Sequence, residues 1–173
     1  MTYLLSLLMA TSLTLLDFSS ETAADTWRIV NDGVMGGLSS SSFRIDEAGH
    51  GVFAGRVRLE NNGGFAMVQF PHERLAVDAY GKVTLRIKGD GKTYQFRLRA
   101  ARNDRYTYNQ SFTTSGEWET ISLDFADFAP AWRGRQLDMP NFPGKQLTEM
   151  AILIGNKRAE DFELRVDWVR LTE

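Results

Sequence analysis

The chain of 173 residues has no cysteine. Disulfide staples, thiol nucleophiles and thiolate metal sites are therefore all excluded. Histidine is scarce as well: His50 and His72 are the only 2, too few for a histidine-rich metal centre. A basic excess is missing too. Lys plus Arg number 20 against 22 for Asp plus Glu, a net charge of −2, which argues against a general nucleic-acid binder. Familiar catalytic patterns are also absent. There is no G-x-S-x-G elbow, and Gly33, Gly36 and Gly37 neither match G-x-G-x-x-G nor precede a helix. With no nucleophile beside a base, the sequence reads as a non-enzyme without catalytic residues, metal or cofactor. Calcium is the one metal to weigh, because it needs only loop oxygens, here from Asn31, Asp32, Asp90 and Asp104, but no EF-hand loop is present.

Charge is missing from the leading segment. The stretch MTYLLSLLMATSLTLL carries no charged side chain, and no Lys or Arg precedes Arg28. The run is too short to cross a bilayer, and a mitochondrial presequence would need basic residues. Two readings stay open, an export signal or a plain first strand, and with them a cytoplasmic or an exported protein. We divide the chain into a leading segment, 1–14, and one domain, 15–173.

What the domain does have is alternation of period two, with almost no helical periodicity. Phe53, Val57 and Leu59 alternate with Arg56, Arg58 and Glu60, as in a half-buried strand. Asn61-Asn62-Gly63-Gly64 then predicts a hairpin, with Phe65 to Phe70 returning as the partner. Val83, Leu85 and Ile87 alternate with polar neighbours, as do Tyr94, Phe96 and Leu98, then Phe162, Leu164, Val166 and Trp168. The 4 prolines, Pro71, Pro130, Pro140 and Pro143, fall in connections. This pattern predicts an all-β fold, a single antiparallel β-sandwich of jelly-roll type, with Phe53, Val57, Phe96, Leu98, Leu123, Leu164, Val166 and Trp168 buried. The long irregular stretch Ala126 to Gly144 is read as a packed cap, because it holds Phe128, Trp132 and Phe142.

The chain is organised around Trp27 to Phe43, WRIVNDGVMGGLSSSSF. Asn31-Asp32-Gly33 is turn chemistry, and Gly36-Gly37 lets another backbone or a ligand come close. We expect Val34 and Met35 to turn inward, at least one of the three glycines to have positive φ, and Asp32 to be held at a fixed place. Whether this loop is a packing device or a site that uses Asn31 and Asp32 stays open.

Five segments in one order carry a resemblance: NDGVMGG, then ENNGGF (Glu60 to Phe65), GDGKTYQFRLR (Gly89 to Arg99), FADFAPAWRGR (Phe125 to Arg135) and ILIGNK (Ile152 to Lys157). Together they resemble the complex I intermediate-associated protein 30 family, from about Leu15 onward. The resemblance implies a galactose-binding-like β-sandwich and a non-catalytic assembly or chaperone-like role for respiratory complex I or a related membrane assembly, exerted through protein contacts. Galactose-binding-like sandwiches also recognise carbohydrate, which is the alternative partner.

For a working surface, we read the strands from Val83 to Asp124 as a meander of neighbours. Alternation then places Arg86, Gln95, Arg97, Arg99, Asn109 and Trp118 on one outward side. Forked guanidiniums, amides and one indole suit a protein partner or a sugar. A solvated sheet face is the plain alternative. The fold expectation is simple to check: far-ultraviolet circular dichroism should show a strand signal with little helix, and a helix-rich spectrum would contradict the alternation.

Overall fold

The computed structural model describes residues 12–18 and 26–173. Its strands are β1 (Ser12–Asp17), β2 (Arg28–Asn31), β3 (Ser40–Ile45), β4 (Gly51–Val57), β5 (Ala66–Ala76), β6 (Lys82–Lys88) and β7 (Thr93–Arg99). They continue with β8 (Thr107–Thr113), β9 (Trp118–Asp124), β10 (Ala129–Trp132), β11 (Arg135–Gln136), β12 (Gln146–Ile154) and β13 (Glu160–Thr172). Short 3₁₀ turns occupy Asp32–Met35, Glu60–Asn62 and Phe125–Asp127, and no α-helix is found among the described residues. Of the leading segment, residues 12–14 lie in β1, and residues 1–11 lie outside the described part.

The strands form two antiparallel sheets. The first runs β3-β4-β13-β6-β9, with β1 lying on β13 beyond β4; the second runs β11-β10-β8-β7-β12-β5-β2. Their inner faces meet in one core. Phe53, Leu85, Ile87 and Leu164 come from the first sheet, and Phe70, Phe96, Leu98 and Ile152 from the second, all essentially free of water. Each such side chain contributes about 1.5–3 kcal/mol on burial, which is why alternation decides the fold. Of the expected core residues, Phe53, Val57, Phe96, Leu98, Leu123, Leu164 and Val166 are buried.

Five local expectations need correction. Trp168 is only half-buried, because a bulge between Val166 and Trp168 shifts the register against β6 and gives the next inward places to Val169 and Leu171. The hairpin at Asn61-Asn62-Gly63-Gly64 does not form. β4 pairs with β3 and β13, whereas β5 pairs with β12 and β2. Asn61 and Asn62, at φ 57° and 58°, make a corner that carries the chain to the opposite sheet. The meander fails for a similar reason at Gly89-Asp90-Gly91. Asp90 accepts a backbone hydrogen bond from Glu163 of β13 at 3.0 Å and one from the Tyr94 hydroxyl at 2.9 Å. That corner therefore joins β6 in one sheet to β7 in the other. The stretch Ala126 to Gly144 is less irregular than expected, since β10 and β11 extend the second sheet within it. Phe128 and Phe142 are buried there, while Trp132 remains 41% exposed.

The Trp27–Phe43 stretch holds the fifth correction. Val34 and Met35 point outward, 77% and 58% exposed, and Asp32 takes the inside place at 0%. Gly36 does have positive φ, 88°, and closes the 3₁₀ turn. The Asp32 carboxylate accepts hydrogen bonds from the Ser39 amide at 3.0 Å, the Gly64 amide at 2.6 Å, the Phe65 amide at 3.4 Å, and the Ser39 hydroxyl. Burial pushes this carboxyl up, but the Ser39 hydroxyl and the Gly64, Ser39 and Phe65 amides outweigh it and hold Asp32 below the usual aspartate range. A side chain on Gly37 would collide with that carboxyl, and one on Gly63 would come within 2.6 Å of it.

Because the folded carboxyl is the stronger acid, its contribution is complete above the unfolded value, about pH 3.9, and is lost as pH falls through the lower folded value. Asp32→Asn should therefore flatten the acid limb of a stability-against-pH curve. Asp32→Ala, which strands several amides, should cost roughly 2–4 kcal/mol in urea denaturation. A variant as stable as the parent at pH 7 would contradict this account.

Candidate binding face

The corners that break the meander also divide the sequence-predicted surface. Gln95, Arg97 and Arg99 of β7 and Asn109 of β8 share the outer face of the second sheet. Arg86 of β6 and Trp118 of β9 stand on the outside of the first sheet, on the other side of the sandwich. There the Arg86 guanidinium lies 5.7 Å from the centre of the Trp118 indole, and the His50 ring lies 4.6 Å from it. Asn31 and Asp32 belong to neither face. The Asn31 amide oxygen accepts a bond from the Ser41 hydroxyl at 2.7 Å, and the Asp32 oxygens are spent on the chain itself. Asp104 is likewise engaged, accepting from the Ala101 amide at 3.0 Å.

The outer face of the second sheet is the more developed of the two. Register places Asn109, Arg97, Ala151, Gln69 and Arg28 in one row across β8, β7, β12, β5 and β2. Arg97 bonds the Gln95 side-chain oxygen at 2.8 Å and has no carboxylate partner among the described residues. Burial alone pushes its guanidinium down to about 10. A guanidinium withdrawn from water without an opposite charge is unfavourable to the folded chain. In the adjoining row, Glu149 on β12 lies 3.4 Å from both Arg28 and Arg99, and Arg28 also bonds Gln69 at 2.8 Å.

Sequence reasoning missed Arg28, Gln69 and Glu149. Gln69 was legible as an outward position between Val68 and Phe70; the other two become partners only through strand pairings. Beyond this row the face opens into a cleft of about 340 Å³ that includes Arg28, His72, Arg99 and Glu149. The row from Arg28 to Asn109 carries no aromatic ring. Among the described residues no group of three His, Asp or Glu side chains converges as a metal site would require.

Residues 16–166 match the sequence pattern of complex I intermediate-associated protein 30. The chain belongs to that family. Among curated proteins no sequence matches it. Its fold is similar to the family 11 carbohydrate-binding module of a cellulosomal cellulase from Clostridium thermocellum, with TM-score 0.68, 15% identity, and 94% of each chain covered. A family 29 carbohydrate-binding module aligns at TM-score 0.57 and 10% identity, covering 94% of this chain and 85% of that one. An agarase aligns at TM-score 0.61 and 10% identity over 94% of this chain but 24% of the agarase. At such identities the likeness shows the shared sandwich and no more. No helix among the described residues is long and apolar enough to cross a membrane.

If Arg97 is held against its own solvation, removing its charge should not harm the fold. Arg97→Met should melt at the parent temperature or above it, whereas truncating its inward neighbour, Phe96→Ala, should cost about 3–5 kcal/mol. A large drop in melting temperature for Arg97→Met would mark Arg97 as structural.

Proposed function

We propose that this protein is a non-catalytic binding domain that serves the assembly of respiratory complex I or a related membrane complex, through protein contacts on the outer face of the second sheet. The observation that carries this reading is Arg97. Its guanidinium is half-buried, bonded to the Gln95 side chain and without a carboxylate partner among the described residues, and it is central in a row of amides and guanidiniums, where an acidic group on a partner would supply the opposite charge. Central arginine anchors are among the side chains that dominate interface energetics. Family membership supplies the assembly context.

Carbohydrate recognition is the second reading. It draws on the family 11 module, which has been solved with a β-1,3-1,4-mixed-linked tetrasaccharide. Two things weigh against it. The row through Arg97 offers no ring for a sugar to stack on, the nearest being Tyr106 and Tyr108 in a hollow at the end of the sheet. The indoles on the other sheet already have company, Trp118 from Arg86 and His50, and Trp168 from Arg170 at 4.2 Å.

The test sets both readings side by side. Tagged protein is incubated with detergent extracts of membranes rich in respiratory complexes, and complex I subunits are identified in the captured fraction; the same protein is run over polysaccharide columns. We expect capture of complex I intermediates by the parent and its loss in Arg97→Met, equivalent to roughly 2 kcal/mol or more at an interface centre. Retention on a polysaccharide that Trp118→Ala abolishes, with no complex I subunit captured, would favour the sugar instead.

A further inference from the structure

The cleft at the end of the Arg97 face is made by an irregularity in β5. Pro71 pairs with Glu149 and Leu75 with Leu147, so His72, Glu73 and Arg74 together face the single Thr148. Pro71 cannot donate to the ladder, which suits a strand about to leave register. Bulges of this kind re-aim side chains, and here they turn His72 toward Arg28, Arg99 and Arg102. Those three guanidiniums share the cleft with one carboxylate, Glu149, leaving two positive charges uncompensated. Arg102 has no ion-pair partner among the described residues, and the His72 Nε2 is buried without a hydrogen-bond partner.

The cleft does not end there. It shares Arg102 and Thr148 with a neighbouring hollow of about 420 Å³, which in turn shares Arg74 and Gln146 with one of about 700 Å³ beside Tyr106 and Tyr108. The three make a trough, basic at one end and tyrosine-lined at the other. It is longer than a lone anion needs and suited to an extended chain.

We propose that this trough binds an extended acidic peptide segment of the partner protein, with a glutamate or aspartate carboxylate seated between Arg28, Arg99, Arg102 and the His72 Nε2, and an apolar residue a few positions on resting against Tyr106 and Tyr108. The inference rests on the protein-contact reading above and gives that partner its chemistry. The bound carboxylate accepts the hydrogen bond that Nε2 lacks and cancels the excess charge of the arginines. Burial holds His72 below the usual histidine range in the free protein. A seated carboxylate works in the opposite direction, together with Glu149 and the adjacent Glu73, and against the charges of Arg28, Arg99 and Arg102. Binding therefore takes up a proton where His72 titrates, and affinity falls as pH rises through the His72 value of the complex.

The probe is an acetylated, amidated peptide, Glu-Glu-Gly-Ser-Leu-Phe, titrated into the full chain while the His72 ring resonances are followed by NMR. The Gln-Gln analogue, inorganic phosphate and oligogalacturonate are titrated separately. We expect saturable binding of the glutamate peptide, an upward move of the His72 titration midpoint, and roughly tenfold weaker binding both of the Gln-Gln analogue and by Arg102→Ala. Arg102 is exposed, so that variant should melt like the parent. His72→Phe should bind without the histidine pH dependence. Equal binding of the glutamate and Gln-Gln peptides, or a His72 signal that never moves, would overturn the proposal. Phosphate acting as strongly as the peptide would reduce the trough to a simple anion site, and oligogalacturonate binding in place of the peptide would assign it to an acidic sugar; each overturns the peptide assignment. Should complex I capture depend on Arg97 while the peptide fails to bind, the assembly reading stands and this inference falls. Peptide binding without any capture is the converse.

Discussion

One buried carboxylate ties this fold together. Asp32 opens the 3₁₀ turn after β2, holds Ser39 at the entry to β3, and takes the amides of Gly64 and Phe65 at the entry to β5. These are places where the chain passes between the two sheets. Strand pairing cannot fix such crossings, because a corner belongs to neither ladder. An ionised oxygen pair that accepts several amide bonds can, and it does so most strongly where water is excluded. Gly37 and Gly63 are needed for the same reason, since any side chain there would occupy the space of the Asp32 carboxyl. The glycine-rich stretch is thus a packing device around an inward aspartate, with Val34 and Met35 displaced to the surface.

How much of this was written in the sequence depends on the distance over which each feature is decided. Period-two alternation is local, and the strands, the sandwich and nearly all of the expected core followed from it. Trp168 escaped because a bulge changes phase without changing composition. The hairpin at Asn61-Asn62 and the meander from Val83 to Asp124 failed together, because a turn signal says that the chain reverses and not which sheet receives it. In this fold the short links β4–β5, β6–β7 and β8–β9 all change sheets, so adjacency in sequence became separation in space.

The same ambiguity governed the candidate surface. Gln95, Arg97, Arg99 and Asn109 were placed together correctly because β7 and β8 do pair. Arg86 and Trp118 were joined to them only through the failed meander. Glu149 and Arg28 lie 121 residues apart and meet because β12 and β2 both flank β5. No spacing rule reaches that far. Composition supplies guanidiniums and amides for such a surface but says nothing of which of them meet.

The position of β13 has a consequence for how the molecule comes into being. This strand lies at the middle of the first sheet, with β4 and β1 along one edge and β6 along the other, and every one of them precedes it in the chain. On the ribosome, β4 and β6 must wait with open edges until the last of their neighbours has been made. Pairings of such long range are slow to close, and unpaired edges invite association with other chains. A nascent chain of this fold thus carries open strand edges until β13 has emerged.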